Sequence, residues 1–207
     1  MELTAQQKLL ESAIEVFAQK GYRDTKIADI VKGAGANIAA VNYHFGSKDK
    51  IFLAALRQAF AEADAVYPSR GKGGREYSAK EKIATLARAV LLRSFDSGKA
   101  GHFNRIMCRT MHTPGSPVEL ILKEVEQLEI SYLEAAIAEY LDTESKQLIS
   151  WAIAHFIALA TAVSKYQESM IEMVPASATR EQIDCFIETQ ITSIFAAIDT
   201  LPKEFPE

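Results

Sequence analysis

Residues 33–48 read GAGANIAAVNYHFGSK, a run that holds two helix stops and two helix starts. Gly33 to Gly35 end what precedes them, and Asn37 is a cap residue for a short helix over 38–45. Gly46 stops that helix, and Ser47 caps the next, Lys48–Val66, with Ile51, Ala55, Leu56 and Ala59 on one stripe. Turned at about 100° per residue, the short helix puts Val41 and Phe45 on one face and Ala39, Ala40 and Tyr43 opposite. Ile38 falls at the margin, where core packing and a groove-edge contact both fit.

Upstream, Thr25 is placed to cap a second short helix with Ile27, Ile30 and Val31 facing inward. Thr4 to Gln7 form a capping box for a first helix over 4–20 that Gly21 closes. Two short helices joined by a tight turn and packed on a third make a helix-turn-helix. The outer face of residues 38–45 suits a DNA groove. Alanine lets the backbone come close and offers a methyl to thymine, while Tyr43 has the reach for a phosphate or base edge. Tyr43, Asn42 and His44 project toward the nucleic-acid backbone, and Lys48 joins a charge to the amides of the next helix start, where a phosphate can sit.

Downstream, residues 67–77, YPSRGKGGREY, read as a mobile surface loop. Ser78 and Glu81 form a capping box for a helix to about Phe95, and a short helix covers 102–111. Ser116, followed by Pro117, starts a long helix to Leu141. Asp142 or Thr143 starts another, to about residue 173, and Thr179 with Gln182 opens the last, to about residue 200. No segment has strand periodicity, so the expected fold is all-α, about nine helices, with a helix-turn-helix domain at 1–47 and a larger helical domain at 48–207.

Composition narrows the function. The chain has 207 residues, 48% of them hydrophobic, and a net charge of -4. Residues 1–50 carry seven basic and six acidic side chains, so the acidic excess lies elsewhere. Cys108 and Cys185 stand apart, without zinc-ligand spacing, which points to reduced thiols in a cytoplasmic protein with no metal and no cofactor. The N-terminus is not read as a signal peptide. The apolar run 151–163 is shorter than the ~20 residues a bilayer requires, so no membrane partner is expected. Nucleophile elbow, phosphate loop and H-E-x-x-H are all missing, which argues against an enzyme.

Taken together, FAQKGY at 17–22, T-x-I-x-D-I at 25–30 and GAGANIAAVNYHFGSK at 33–48 resemble the DNA-binding domain of TetR-family transcriptional regulators. The resemblance covers about the first quarter of the chain and is similar to a subgroup with CecR-like and PsrA-like regulators. It implies that Thr25 and Lys26 contact phosphate, that Asn37, Ile38, Ala39, Ala40, Asn42 and Tyr43 face the major groove, and that His44 and Lys48 hold the backbone. Two positions depart from the family pattern: Ala40 stands where Ser or Thr is common, and Asn42 where Tyr is.

The resemblance further implies a homodimer built on the last two helices. Its interface residues would be Trp151, His155, Phe156, Leu159, Val163, Phe186, Gln190 and Ile194. It implies a small-molecule effector, lipophilic or acyl-like by subgroup analogy, beside Phe95, His102, Phe103, Arg105, Met107, Cys108 and Met111. Arg109 and His112 are further polar anchors. The function so implied is a ligand-responsive repressor released from a palindromic operator by its effector. The alternative is a helical interaction protein of the same fold that has lost DNA binding.

Overall fold

The computed structural model describes residues 3–71, 75–111, 113–167 and 178–201, and among these there are helices and no strand. The elements are α1 (Ala5–Asp24), α2 (Ile27–Ala34), α3 (Ile38–His44), α4 (Lys48–Val66), α5 (Ala79–Phe95), a 3₁₀ turn (Lys99–Gly101), α6 (His102–Met111), α7 (Val118–Val125), a π turn (Glu126–Ile130), α8 (Ser131–Leu141), α9 (Lys146–Ala160), α10 (Ala162–Gln167) and α11 (Arg180–Asp199). By its packing the chain divides into two units, one of residues Met1–Val66 and Asp96–Glu124, the other of Tyr67–Phe95 and Val125–Glu207. These units cross the expected boundary at 47/48, because α4 and α6 pack on α1.

The first unit is built around α1. Leu9, Ala13, Ile14 and Phe17 are buried with Ile30, Val41, Ile51, Phe52, Leu56 and Ile106, and Phe17 meets Phe52 edge to face at 4.9 Å. Gly21 leaves helical geometry at φ 70°, which ends the regular part of α1 where the sequence places its stop. Thr25 follows, with its hydroxyl donating to the Gly21 carbonyl at 2.6 Å. It therefore seals α1 and leaves the cap of α2 to Lys26.

In the second unit α5, α8, α9 and α11 share one core of Ile83, Leu86, Leu91, Ile137, Ala152, Phe156, Ile187, Ile194 and their neighbours. Three residues expected at a subunit interface, Phe156, Val163 and Ile194, belong to this core, so their apolar surface is covered from within the chain. The other face of α9 is open, with Trp151, His155 and Ile157 exposed. Leu159, Phe186 and Gln190 are half-buried.

Several boundaries differ from expectation. Asp142 closes α8 in the left-handed region, and Ser145, whose hydroxyl accepts from the Leu148 N–H, opens α9. Thr161 separates α9 from α10, and residues 168–173 of the helix expected there lie outside the described residues. The Ser116 hydroxyl has no hydrogen-bond partner among the described residues, and α7 starts at Val118. The long helix to Leu141 contains the π turn. There the Arg93 guanidinium, fully buried, donates to Glu129 at 2.6 Å and to the Tyr67 carbonyl at 3.0 Å, and Arg70 donates to the Leu128 carbonyl at 2.9 Å. Residues 67–71, expected to be mobile, are thus held down.

Candidate nucleic-acid interface

Asn37 caps α3 as the sequence implies: its side-chain oxygen accepts from the Ala40 N–H at 3.0 Å. Val41 alone of α3 is buried, and it anchors the helix to the first unit. Phe45, expected in the core, is half-buried. The face opposite Val41 is open. Tyr43 is 85% exposed and Ile38 54%, and Ala39 and Asn42 are exposed beside them. At about 100° per residue Ile38, Asn42, Ala39 and Tyr43 follow one another around an arc of roughly 140°. Burial settles the position of Ile38: it lies outside the core. Ala40 and His44 are half-buried at the rim, with the His44 ring edge-on to Tyr43 at 4.9 Å.

Cations flank this arc. Lys26 is exposed at the start of α2, and its N–H donates to Asp29 at 3.1 Å. Lys20 pairs with Asp29 at 3.0 Å, and these hydrogen bonds hold the Asp29 carboxyl below its usual range. Gly46 turns the chain at φ 82°, and the Ser47 hydroxyl accepts from the Lys50 N–H at 3.2 Å, as expected of a cap. Lys48 is more confined than the sequence suggests. Its Nζ lies 4.4 Å from the Tyr22 ring centroid and 3.4 Å from the Arg23 carbonyl, and burial pushes its pKa down. Thr25 is corrected outright: it is 1% exposed with its hydroxyl turned onto Gly21, so the side chain is unavailable to phosphate.

Tyr22, which the sequence does not single out, forms the shelf under Lys48. Its hydroxyl donates to Asp49, and its ring meets Phe52 edge to face at 5.1 Å, which ties the start of α4 to the end of α1. Burial first, then the hydrogen bond and the charge of Asp49, push its pKa from 10.0 up to about 12. The folded chain keeps a proton there that the unfolded chain releases near pH 10. This contribution to stability is therefore whole below pH 10 and is lost as pH rises toward 12. Tyr22→Phe is expected to flatten the stability profile in that window, and a wild-type-minus-variant phenolate titration should show a midpoint near 12. A midpoint near 10 would remove the Asp49 bond from the interface.

The expected effector residues divide between the units. Phe95 packs edge-on against Phe186 at 5.9 Å in the second. In the first, Phe103 is buried against Phe60 at 5.2 Å, and Arg105 donates to the carbonyls of Asp96 at 2.7 Å and Gly98 at 2.6 Å. Both have structural partners instead of open surface. His102 Nδ1 is buried without a hydrogen-bond partner among the described residues, and desolvation, then Arg105, lowers its pKa. Met107, Cys108 and Met111 are half-buried on α6; Arg109 donates to the Gln19 carbonyl, and His112 lies outside the described residues. Among the described residues no group of three or more His, Cys, Asp or Glu could hold a metal ion, and no helix is long and apolar enough to cross a membrane.

A capped seven-residue helix with an open outer arc, seated on α1 and α2 and flanked by lysines, defines a helix-turn-helix protein. Residues 9–55 match the family model of bacterial regulatory proteins, tetR family. The HTH-type transcriptional regulator BetI of Brucella anthropi is 31% identical over 86 residues, 42% of this chain and 43% of that protein. The matched segment spans less than half the length of such relatives. Two solved structures share the fold along nearly the whole chain. The transcriptional regulator FadR from Bacillus subtilis, in complex with stearoyl-CoA, has a TM-score of 0.62 at 14% identity, over 94% of this chain and 98% of that one. A cysteine mutant of the TetR-family regulator CifR, complexed with a 26-base-pair operator DNA, has a TM-score of 0.58 at 20% identity, over 94% and 95%. The match to the tetR family thus lies in residues 9–55, and the fold of the two solved structures extends over the rest of the chain.

Proposed function

We propose that the protein is a homodimeric, ligand-responsive transcriptional regulator, a cytoplasmic repressor that binds a palindromic operator and releases it when a small molecule binds. The observation that carries this is the open arc of α3, where two large side chains, Ile38 and Tyr43, stand in solvent beside small and polar ones. Exposed apolar side chains on a short, well-capped helix have no stabilising role in the monomer and suit a groove. Residues 1–47 act as the reading head, with Lys26 and His44 toward phosphates and Lys48 joining them from the start of α4; the rest of residues 48–207 bind effector and dimerise.

The open face of α9, with Trp151 and His155, Leu159 at its edge and Ala154 and Ala158 between, supports the dimer, since small residues let a second helix approach. The complex of FadR with stearoyl-CoA supports an acyl-type effector, for which Met107, Cys108 and Met111 of α6 offer apolar surface. Coupling is supported by the packing of α6 on both α1 and α4. An effector preferring one placement of α6 shifts the head through these contacts, tilts α4 and alters the spacing of the paired recognition helices.

The test is selection of genomic fragments on the purified protein. An enriched inverted repeat with half-sites about one helical turn apart, or a multiple of it, is the expected result. Its absence would favour an interaction protein that has lost DNA binding. On that repeat Tyr43→Ala should weaken binding about tenfold with the salt slope unchanged, and Lys48→Ala should weaken it and lower the slope by about 1. Dimerisation should be unaffected in both, as measured by sedimentation.

A further inference from the structure

Guanine is most often read in the major groove by Arg or Lys reaching O6 and N7. Helix α3, IAAVNYH, contains no Arg, Lys, Gln, Asp or Glu. Asn37, next to it, has its side-chain oxygen engaged by the Ala40 N–H. What the helix shows to solvent is a branched aliphatic chain, an amide, a methyl and a phenol, in the order Ile38, Asn42, Ala39, Tyr43 around the arc. Ile38 and Ala39 are its first two residues, at the end that meets base edges when a recognition helix docks. Among base edges in that groove, thymine alone has a methyl, and Asn is the side chain that pairs with adenine N6 and N7. Between residues 20 and 50 six basic side chains face three acidic ones, so the surroundings of the arc suit a polyanion and leave sequence reading to α3.

We infer that the half-site is read at A·T pairs, with Ile38 and Ala39 packed against thymine 5-methyl groups and Asn42 against an adjacent adenine. The inference rests on the DNA-binding reading above and names what that site recognises. Ile38 is then a specificity-determining residue whose contribution is a buried hydrocarbon contact. Each methyl covered is worth about fourfold in affinity, from ~0.8 kcal/mol per buried carbon.

The experiment replaces thymines of the selected operator by deoxyuridine, which removes the methyl and leaves the pairing. The probes are the parent repeat, the repeat with deoxyuridine in both half-sites, and the repeat with deoxyuridine only in the flanks. The full-length protein should lose about tenfold or more on the half-site probe and less than about twofold on the flank probe. In Ile38→Ala, which alters an exposed side chain and leaves the core intact, the half-site penalty should shrink to about threefold or less. Half-site deoxyuridine binding within about twofold of the parent overturns the inference and leaves the regulator reading standing. An equal penalty from the flanks also overturns it, because the methyls would then act through DNA shape. Failure to enrich any repeat overturns both.

Discussion

Glu129→Ala is expected to lower the unfolding free energy by about 3–5 kcal/mol. The Arg93 side chain is fully buried, and it is held by Glu129 at 2.6 Å and by the Tyr67 carbonyl at 3.0 Å. Alanine takes the Glu129 carboxylate away from a desolvated guanidinium, and that penalty exceeds any gain in helix propensity, which is below about 1 kcal/mol at one site. For a domain of this size the melting temperature should drop by roughly 10 °C, at fixed protein concentration. Glu129→Gln keeps an acceptor and should lose less. Arg93→Met combined with Glu129→Leu removes both charges and should recover most of the loss, since a buried pair against a well-packed apolar replacement is often neutral. If Glu129→Ala melts within about 2 °C of the parent, the pair is not desolvated in solution. Tyr67 opens the second unit, Arg93 lies just before the chain leaves it at Phe95, and Glu129 just after it returns at Val125. The pair thus anchors three segments of chain at the places where they enter or leave that unit.

What the sequence reveals divides by range. Thr4 with Gln7, Asn37, Ser47, Ser78 with Glu81, and Thr179 with Gln182 all cap where expected, because a cap is a contact across three residues and is written into adjacent positions. Wherever the partner is distant in sequence, periodicity falls short. The π turn follows Glu129 to Arg93, 36 residues away, and Lys48 leans on Tyr22, 26 residues away; neither pairing leaves a local signal. Residues 38–45 make only about two turns, too few to decide between core and groove for Ile38, and burial decides it. On α9, α10 and α11 the pattern gives the width of the apolar surface but not its owner. Phe156, Val163 and Ile194 are therefore indistinguishable from Trp151 and His155 until the packing of α5 and α8 is known.

Gly33→Ala tests the packing that sets α3 in place, and here two effects of similar size oppose each other. In an exposed helix the change would stabilise by about 1 kcal/mol. At this position the new Cβ would clash with Ser12 Oγ, and that hydroxyl, on the adjoining face of α1, donates to the Ile30 carbonyl at 2.8 Å inside the first unit. Relief requires the serine to rotate away, which strands a buried hydroxyl at about 1–3 kcal/mol, or α2 to move off α1, which costs a similar amount in lost packing. The expected net result is a loss of about 1–3 kcal/mol by urea unfolding with an unchanged m-value, and weaker operator binding, because α2 carries α3. Ser12→Ala in the same chain removes the clashing oxygen. The new Cβ then meets the serine's own Cβ at 3.4 Å, a tight but ordinary contact. The double variant should therefore be more stable than Gly33→Ala alone, with a coupling of about 1 kcal/mol or more, although Ser12→Ala by itself is destabilising. A stabilising Gly33→Ala, with no coupling to Ser12, would mean that α1 and α2 stand farther apart than the glycine implies, and that helix propensity outweighs packing at this contact.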